Sequence, residues 1–374
     1  MIYLDSAATT LLRPVAVEQA VLNAIRTSAS PGRGGHTPSM RAAETVYNCR
    51  CAAAALFNAQ EPENIVFTMN ATHALNMAIN SFSPRGKKVV ISGFEHNSVL
   101  RPLRAVGAKI SIAGRKLYDS ADTLDHFESA LPGAELAVCT HVSNVFGYIL
   151  PVERIAELCR RHGVPLIIDA SQSAGVLEIN AAQLGAAYIA LPGHKGLMGV
   201  QGTGILVCGD APVPLMHGGT GSDSRSELMP TYLPDAGEAG THNVCGIAGL
   251  LAGIDYIRQK GSAKILEHEQ TLREAMLKEL ADVPYIRVFS GDKGNQSGVL
   301  SVQCTHTDSE SLASMLAERG ICVRGGLHCA PCAHESAGTL DKGTVRISFS
   351  PFNSIEEVKR AAKELIACCS SENI

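Results

Sequence analysis

Short, continuously apolar segments alternate with amphipathic segments between residues 64 and 208, and this alternation restricts the chain to few folds. Strands that are apolar along their whole length are typical of parallel sheets buried on both faces. Strand–helix–strand order also predicts helices on both sides of such a sheet. The strand segments are IVFT (65–68), VVIS (89–92), LAVCTHVS (136–143) and PLIIDAS (165–171), followed in turn by helical patterns from Ala71, from Asn97, in PVERIAELCRRHG and in NAAQLG. We therefore predict an α/β fold with a parallel central sheet.

The chain changes character after residue 208. A glycine-rich, less periodic region spans residues 209–242, and helices are predicted near 244–259 and 264–281. The remainder mixes both elements: IRVFS, GVLSVQC, ICVRGG and TVRISFS are typical of strands, while SESLASMLAERG and SIEEVKRAAKELIACC are typical of helices. A chain of 374 residues can form one large domain and one smaller one. We expect the C-terminal part to form the smaller α/β domain.

Composition argues against several classes of function. Lys and Arg total 32, Asp and Glu total 36, and the formal net charge is −4, with no basic run of the kind that binds nucleic acid. No apolar run is long enough for a membrane helix, and the N-terminus lacks a secretory signal, so a cytoplasmic protein is expected. Cysteines such as Cys139 and Cys208 lie in apolar runs, which indicates small buried side chains rather than a disulfide framework.

Polar residues follow the predicted strands at the point where each strand ends. In open α/β sheets, ligands bind beyond the carboxyl ends of the strands. Five strand ends contribute: Asn70-Ala71-Thr72-His73, GFEHNS (93–98), Asn144, Asp169 with Gln172, and His194-Lys195. We therefore predict a ligand site at this edge of the sheet.

Each of these residues allows two interpretations. Lys195 is either a buried nucleophile with a lowered pKa or a lysine in a surface turn. Asp169 is either the counter-charge of a buried cation or a helix N-cap, and residues 70–72 either bind phosphate or simply cap a helix. His96 either lies on an aromatic cofactor or is an ordinary polar residue. Arg346, in the strand segment 343-GTVRISFS-350, either grips a carboxylate or points to water.

The segment 324-RGGLHCAPCAH-334 contains two cysteines and two histidines. Three hypotheses fit it: a metal site, although a second ligand pair is missing nearby; a redox pair, although no thioredoxin-like context surrounds it; and one reactive cysteine in a glycine-rich loop. No metal is expected.

An ordered set of motifs resembles the class V aminotransferase-like family of pyridoxal phosphate (PLP) enzymes, and within it the cysteine desulfurases of the SufS-like and selenocysteine lyase group. The motifs are 3-YLDSAATT-10, 140-THVSNVFG-147, 168-IDASQS-173, 193-GHK-195, 238-EAGTHN-243, 328-HCA-330 and 344-TVRISFSPFN-353. The resemblance implies the PLP-dependent transferase fold type I. It also implies a large PLP-binding domain of residues 14–255, and a small domain of residues 1–13 and 256–374 that carries the catalytic cysteine loop.

The resemblance assigns a role to each candidate residue. Lys195 would form a Schiff base with PLP, Asp169 would pair with the pyridine nitrogen, Gln172 would bind the ring hydroxyl, and His96 would stack on the ring. Ala71, Thr72 and His194 would hold the phosphate, and Thr241 would reach the phosphate of a partner subunit, which implies a homodimer. Asn144 and Arg346 would orient the substrate carboxylate, and Cys329 would accept the sulfur.

The implied activity is conversion of L-cysteine to L-alanine, with the sulfur passed to Cys329 as a persulfide for an acceptor protein, as in iron–sulfur cluster assembly. A selenocysteine lyase, or another class V enzyme, is the nearest alternative, and a non-enzymatic metal or redox module built on HCAPCAH is a distant one. Two departures from the family pattern stand out. Pro192 replaces a residue that often carries a hydroxyl, and Cys332 adds a second thiol that could pair with Cys329 or receive its sulfur.

Overall fold

The computed structural model describes residues 1–32 and 34–370. The strands are β1 Ile2–Tyr3, β2 Ile65–Thr68, β3 Lys88–Ser92, β4 Lys109–Ala113, β5 Leu136–Thr140, β6 Leu166–Asp169, β7 Tyr188–Pro192, β8 Gly204–Cys208, β9 Ile286–Phe289, β10 Val299–Cys304, β11 Ile321–Cys322 and β12 Val345–Ser348. The helices are α1 Val15–Thr27, α2 Thr37–Phe57, α3 Ala71–Ser81, α4 Asn97–Ala105, α5 Ser120–Ala130, α6 Val152–His162, α7 Ala181–Leu184, α8 Val244–Lys260, α9 Ser262–Leu280, α10 Ser309–Glu318, α11 Pro331–Ala337 and α12 Ile355–Cys369.

The central sheet has seven strands in the order β2-β8-β7-β6-β5-β3-β4. Strands β7, β6, β5, β3 and β4 pair in parallel, whereas β8 is antiparallel to both β7 and β2. Residues 193–203 join β7 to β8, and the amide of Gly193 donates to the carbonyl of Thr203 over 2.8 Å. A connection this short turns the chain back on itself, because a parallel neighbour needs a longer crossover. The predicted mostly parallel α/β sheet is confirmed.

Helices cover both faces of this sheet. Every residue of β2, β5, β6, β7 and β8 is buried, as the apolar strand segments predicted. Alternate strand residues enter two separate apolar clusters, because successive side chains point to opposite faces. One cluster includes residues of α2, α6 and α8, and the other includes residues of α3 and α4.

A second unit of structure is built mainly from the C-terminal part of the chain. It contains an antiparallel sheet in the order β12-β10-β9 and a parallel pair formed by β1 and β11. Ile2 and Leu4 belong to the same buried cluster as residues of α9, α10 and α12, so the N-terminal segment packs with this unit. The predicted boundary between residues 255 and 256 falls inside α8, and the division into domains stays a prediction.

None of the helices in the described ranges is both long and apolar enough to span a lipid bilayer.

Candidate active site

Lys195 lies three residues beyond the end of β7, next to the carboxyl ends of β5 and β6. Its Nζ makes no hydrogen bond to the residues that the structure describes. Burial lowers the pKa of Lys195 to about 8, and nearby Arg346 and Arg324 act in the same direction, while Asp169 opposes them. Lys195 is therefore a buried amine with a weakened hold on its proton, and the surface-turn interpretation is wrong.

Asp169 ends β6 and is 3% exposed. Its Oδ1 accepts a hydrogen bond of 2.9 Å from the amide of Ser171. It caps no helix, because the next helix, α7, is capped by Asn180. The N-cap interpretation is therefore wrong, and Asp169 supplies a buried negative charge beside Lys195 and His96.

His96 begins α4 as its N-cap. Its Nδ1 lies 3.0 Å from the amide of Ser98 and 2.9 Å from the hydroxyl of Ser98. Burial lowers the pKa of His96 to about 4, partly offset by Asp169, so the ring is neutral at physiological pH. The same Ser98 hydroxyl lies 2.8 Å from Thr72 Oγ1, so a side-chain network joins His96 to the start of α3.

The start of α3 offers unpaired backbone donors. Asn70 caps the helix by accepting from the amide of His73 over 2.9 Å, so the capping interpretation is correct. The amides of Ala71 and Thr72 have no partner within the helix, as in the first turn of any helix, and such a terminus attracts anions. Gly204 allows the close approach of β8, since a Cβ there would lie 2.7 Å from the backbone of Asn70. Capping and anion binding are thus compatible here.

The N-terminal segment closes one side of the site. His194 Nδ1 lies 3.0 Å from Thr9 Oγ1, and Thr10 Oγ1 donates to the carbonyl of Lys195 over 2.8 Å. Gln172 Nε2 donates to the carbonyl of Ala7 over 3.0 Å. Burial lowers the pKa of His194 to about 4. These contacts hold Gln172, His194 and Lys195 together along one side of the candidate site.

Arg346 of β12 is 1% exposed, so the water-facing interpretation is wrong. Its NH2 group lies 2.7 Å from Asp5 Oδ1, and its NH1 group donates to the carbonyl of Asn144 over 3.2 Å. Its Nε is buried and has no partner among the described residues. Sequence reasoning missed Asp5, although the motif YLDSAATT places a carboxylate directly after a short strand.

The cysteine loop is held against this group of residues. The amide of Asn97 donates to the carbonyl of Cys329 over 2.7 Å, and Asn144 Nδ2 donates to the carbonyl of His328 over 2.9 Å. His328 and Cys329 have φ values of 50° and 56°, a region that non-glycine residues seldom occupy. Cys329 is exposed. The loop therefore presents one accessible thiol beside Asn144 and the start of α4.

The other members of HCAPCAH do not converge with Cys329. Cys332 is buried, and burial, with a smaller contribution from Glu95, raises the pKa of its thiol to about 11. His328 Nε2 lies 3.0 Å from the carbonyl of Thr344, and His334 Nδ1 lies 2.7 Å from Thr339 Oγ1. Within residues 1–32 and 34–370, no group of three or more His, Cys, Asp or Glu residues is placed to hold a metal ion.

Thr241 lies in a loop that lines a pocket next to the start of α3. It is exposed and lines a pocket of about 130 Å³ together with His73 and residues 202–204, whereas Lys195 and Gln172 line a different cavity. Its loop is anchored by Glu238, which forms a buried ion pair of 2.8 Å with Arg50 and a contact of 2.7 Å with His242. Thr241 makes no hydrogen bond to the other predicted site residues in the described ranges, but it shares this pocket with His73, which follows Ala71 and Thr72.

The arrangement fits PLP. Lys195 has an amine without a hydrogen-bond partner in the described ranges, Asp169 supplies a buried negative charge, and His96 offers a neutral ring. The start of α3 supplies amides suited to a phosphate. The buried, unpartnered Nε of Arg346 suits a carboxylate, since guanidinium groups bind carboxylates through paired N–H donors.

Comparisons with known proteins agree that this chain is a PLP-dependent enzyme. A profile of the aminotransferase class-V family matches residues 2–361. A probable cysteine desulfurase of Methanothermobacter thermautotrophicus is 33% identical over 97% of this chain and 94% of that protein, and one of Pyrococcus abyssi is 34% identical over 96% and 92%. The apo structure of a cysteine desulfurase from Thermococcus onnurineus NA1 superposes with a TM-score of 0.90 at 30% identity, over 98% of this chain and 94% of that one. The chain therefore belongs to the aminotransferase class-V family of PLP-dependent enzymes, and within it to the cysteine desulfurases.

Proposed function

We propose that this chain converts L-cysteine to L-alanine and retains the sulfur as a persulfide on Cys329. The observation that carries this proposal is the position of the Cys329 loop. Its carbonyl groups accept hydrogen bonds from Asn144 and from the amide of Asn97, next to His96, and its thiol is exposed. An accessible thiol beside the cofactor and substrate residues is what a sulfur acceptor requires.

The residues that would hold PLP surround Lys195. Lys195 would bind it covalently, Asp169 would pair with the pyridine nitrogen, Gln172 would bind the ring hydroxyl, and His96 would cover the ring. Ala71, Thr72 and His194 would hold the phosphate. When bound, PLP delocalises the negative charge left at the substrate Cα after proton removal. A buried carboxylate beside the ring nitrogen would keep that nitrogen protonated, which strengthens this effect.

Arg346 and Asn144 would orient the substrate through its α-carboxylate. Arg346 is buried and keeps unused donors, and Asn144 contacts both Arg346 and the cysteine loop. Orientation of this kind accounts for a large part of many rate enhancements. Lys195 would then take the Cα proton, and a pKa of about 8 leaves an appreciable fraction of the amine unprotonated near neutral pH.

Cys329 would take the sulfur by nucleophilic attack. A bond forms between Cys329 Sγ and the substrate sulfur while the substrate Cβ–S bond breaks, and its electron pair stays on the substrate carbon, which is then protonated. The sum is L-cysteine plus the Cys329 thiol giving L-alanine plus the Cys329 persulfide. No external oxidant is needed.

The partners are also part of the proposal. The exposed Thr241 supports a homodimer in which it reaches the phosphate bound by the other subunit. Exposed apolar side chains on and before α1, namely Leu11, Leu12, Val15, Leu22 and Ile25, support a buried interface there. An acceptor protein would take the sulfur from Cys329, in the cytoplasm and for iron–sulfur cluster assembly. A selenocysteine lyase on the same site is the alternative.

Two experiments test the proposal. Borohydride reduction of the purified, PLP-loaded chain should fix a pyridoxyl group on Lys195, and Lys195→Ala should abolish both the label and the visible absorption. Cys329→Ala should lose alanine formation from L-cysteine, while Cys51→Ala, which removes a thiol far along α2, should not. Loss of activity by Cys329→Ala toward cysteine alone, with selenocysteine still consumed, identifies the sulfur acceptor. Unchanged cysteine turnover in Cys329→Ala refutes the desulfurase mechanism.

A further inference from the structure

We propose that Asp5 is a built-in competitor of the substrate carboxylate. Its side chain neutralises Arg346 in the free enzyme and weakens the hold of Arg346 on the amino acid, so that the product can leave. The inference rests on the proposed role of Arg346 in binding the α-carboxylate.

The contacts of Arg346 leave some of its N–H donors unused. NH2 is bonded to Asp5 Oδ1 at 2.7 Å and NH1 to the carbonyl of Asn144 at 3.2 Å, while Nε has no partner in the described part of the chain. A guanidinium group has five N–H donors, so unused N–H groups remain beside those that Asp5 and Asn144 occupy. A substrate carboxylate must therefore bind Arg346 in the presence of the Asp5 carboxylate.

The backbone around Asp5 is held by hydrogen bonds, which keep its carboxylate within reach of Arg346. The carbonyl of Asp5 accepts from the amide of Ala8 over 3.0 Å. The preceding residue, Leu4, donates to the carbonyl of Cys322 and accepts from the amide of Ser348, each over 2.8 Å. Asp5 is thus held between β11 and β12, with its side chain facing Arg346.

The charges around Arg346 make Asp5 an effective competitor of the substrate carboxylate. Arg346 is almost fully buried, and a buried guanidinium without a counter-ion is strongly unfavourable. Arg324, which bridges to Arg346 through the backbone, adds a second positive charge nearby. Asp5 offsets this charge in the free enzyme. Once an amino acid binds, two carboxylates face one guanidinium and repel each other.

The consequence falls on substrate and product alike. L-cysteine and L-alanine carry the same α-carboxylate, so an uncompensated Arg346 would hold both tightly. Tight binding of substrate and product does not by itself speed the chemical step. Asp5 therefore lowers the affinity of the enzyme for L-cysteine and L-alanine, and the product can dissociate faster.

Asp5→Asn tests this directly, since the amide oxygen still accepts from NH2 while the charge is removed. With the PLP-loaded enzyme, L-alanine and ethylamine, which lacks the carboxylate, are titrated by calorimetry. We expect L-alanine to bind about tenfold more tightly to Asp5→Asn than to the wild type, with ethylamine unchanged and Asp5→Glu close to the wild type. L-alanine should also raise the Tm of Asp5→Asn more than that of the wild type. Asp5→Ser provides the same test should Asp5→Asn fold poorly.

The opposite sign overturns the proposal. Weaker L-alanine binding by Asp5→Asn means that Asp5 merely orients Arg346, and equal changes for alanine and ethylamine mean a structural role. Arg346→Ala distinguishes a failure of the proposed role of Arg346 from a failure of the Asp5 proposal alone. If it fails to weaken alanine more than ethylamine, the role of Arg346 fails and the Asp5 proposal fails with it. If Arg346→Ala does weaken the binding of L-alanine more than that of ethylamine, and Asp5→Asn does not bind L-alanine more tightly, only the Asp5 proposal is refuted.

Discussion

The side-chain amide of Asn144 donates a hydrogen bond of 2.9 Å to the carbonyl of His328, the residue before Cys329. The carbonyl of Asn144 in turn accepts from Arg346. Asn144 is therefore bonded directly to the loop proposed to take the sulfur, and Arg346, the other residue proposed to orient the substrate, is joined to that loop through Asn144. A disturbance of Asn144 is transmitted to both functions.

Asn144→Ala should affect substrate binding and the cysteine loop together. We expect kcat/KM for L-cysteine to fall by about 100-fold, because misplaced reacting groups are costly. Alkylation of Cys329 by iodoacetamide in the absence of substrate should become faster, since the strained loop loses one anchor. Asn97→Ala is the matched control, because Asn97 contacts the loop through its backbone amide. Unchanged alkylation in Asn144→Ala would show that this hydrogen bond does not restrain the loop.

Cys332→Ala should retain desulfurase activity within about twofold. Its thiol is buried and its pKa is raised to about 11, so it carries little thiolate at neutral pH. Loss of a small buried side chain should cost roughly 1 kcal/mol of unfolding free energy. Activity and sensitivity to hydrogen peroxide are compared with the wild type. A large loss of activity, or new resistance to the oxidant, instead supports a sulfur relay or a disulfide between Cys329 and Cys332.

Attachment of PLP to the apoenzyme should depend on pH through Lys195. The unprotonated amine reacts, and burial lowers its pKa to about 8, so the attachment rate should rise with pH and level off above about pH 8. Stopped-flow absorption measures the rate. Asp169→Asn removes a charge that raises this pKa, so its profile should shift to lower pH. A rate that still rises at pH 10 would indicate an ordinary exposed lysine.

The contribution of two buried carboxyl groups to the stability of the protein should fall as pH rises from about 5 to about 8. Burial raises the pKa of Glu269 to about 8, and of Glu95 to about 8. The folded state then keeps protons that the unfolded state releases above its ordinary pKa of about 4.3, so each group costs up to about 1.4 kcal/mol per pH unit in this window.

Glu269→Gln should remove the share of Glu269 in this decrease and raise stability at pH 8 relative to the wild type, as measured by urea unfolding. Glu269 is 7% exposed and forms no hydrogen bond or ion pair with the described residues. Glu267→Gln, an exposed position on the same helix, is the control and should behave like the wild type. If the free energy of unfolding changes with pH in the same way in the wild type and in Glu269→Gln, the pKa of Glu269 is not raised.

Local pattern was sufficient to predict most of the fold. Buried strands such as β5 and β6 are apolar up to their last residues, Thr140 and Asp169, and the helices that follow them carry amphipathic patterns. Strand β4 was not identified, because it lies at the sheet edge, is only partly buried and begins with Lys109. Edge strands give a weaker apolar signal, since fewer of their residues are covered.

The candidate site was only partly predictable. Polar residues after buried strands indicated Asp169 and Lys195, because chain order places strand ends at one edge of a parallel sheet. The pairing of Asp5 with Arg346 joins residues 341 positions apart, and no periodicity reports such a contact. Asn144 likewise meets the cysteine loop across 184 positions. Long-range contacts of this kind follow from tertiary packing rather than from local pattern.

The most direct test of the proposed mechanism is to locate the sulfur after a single turnover. The PLP-loaded chain is mixed with one equivalent of L-cysteine, quenched with an alkylating reagent and digested, and the peptide containing residues 328–334 is analysed by mass spectrometry. The proposed mechanism predicts one added sulfur atom on Cys329 and an equal amount of L-alanine. Alanine formed with the sulfur on another cysteine, or an unmodified Cys329 with no alanine formed, would contradict it.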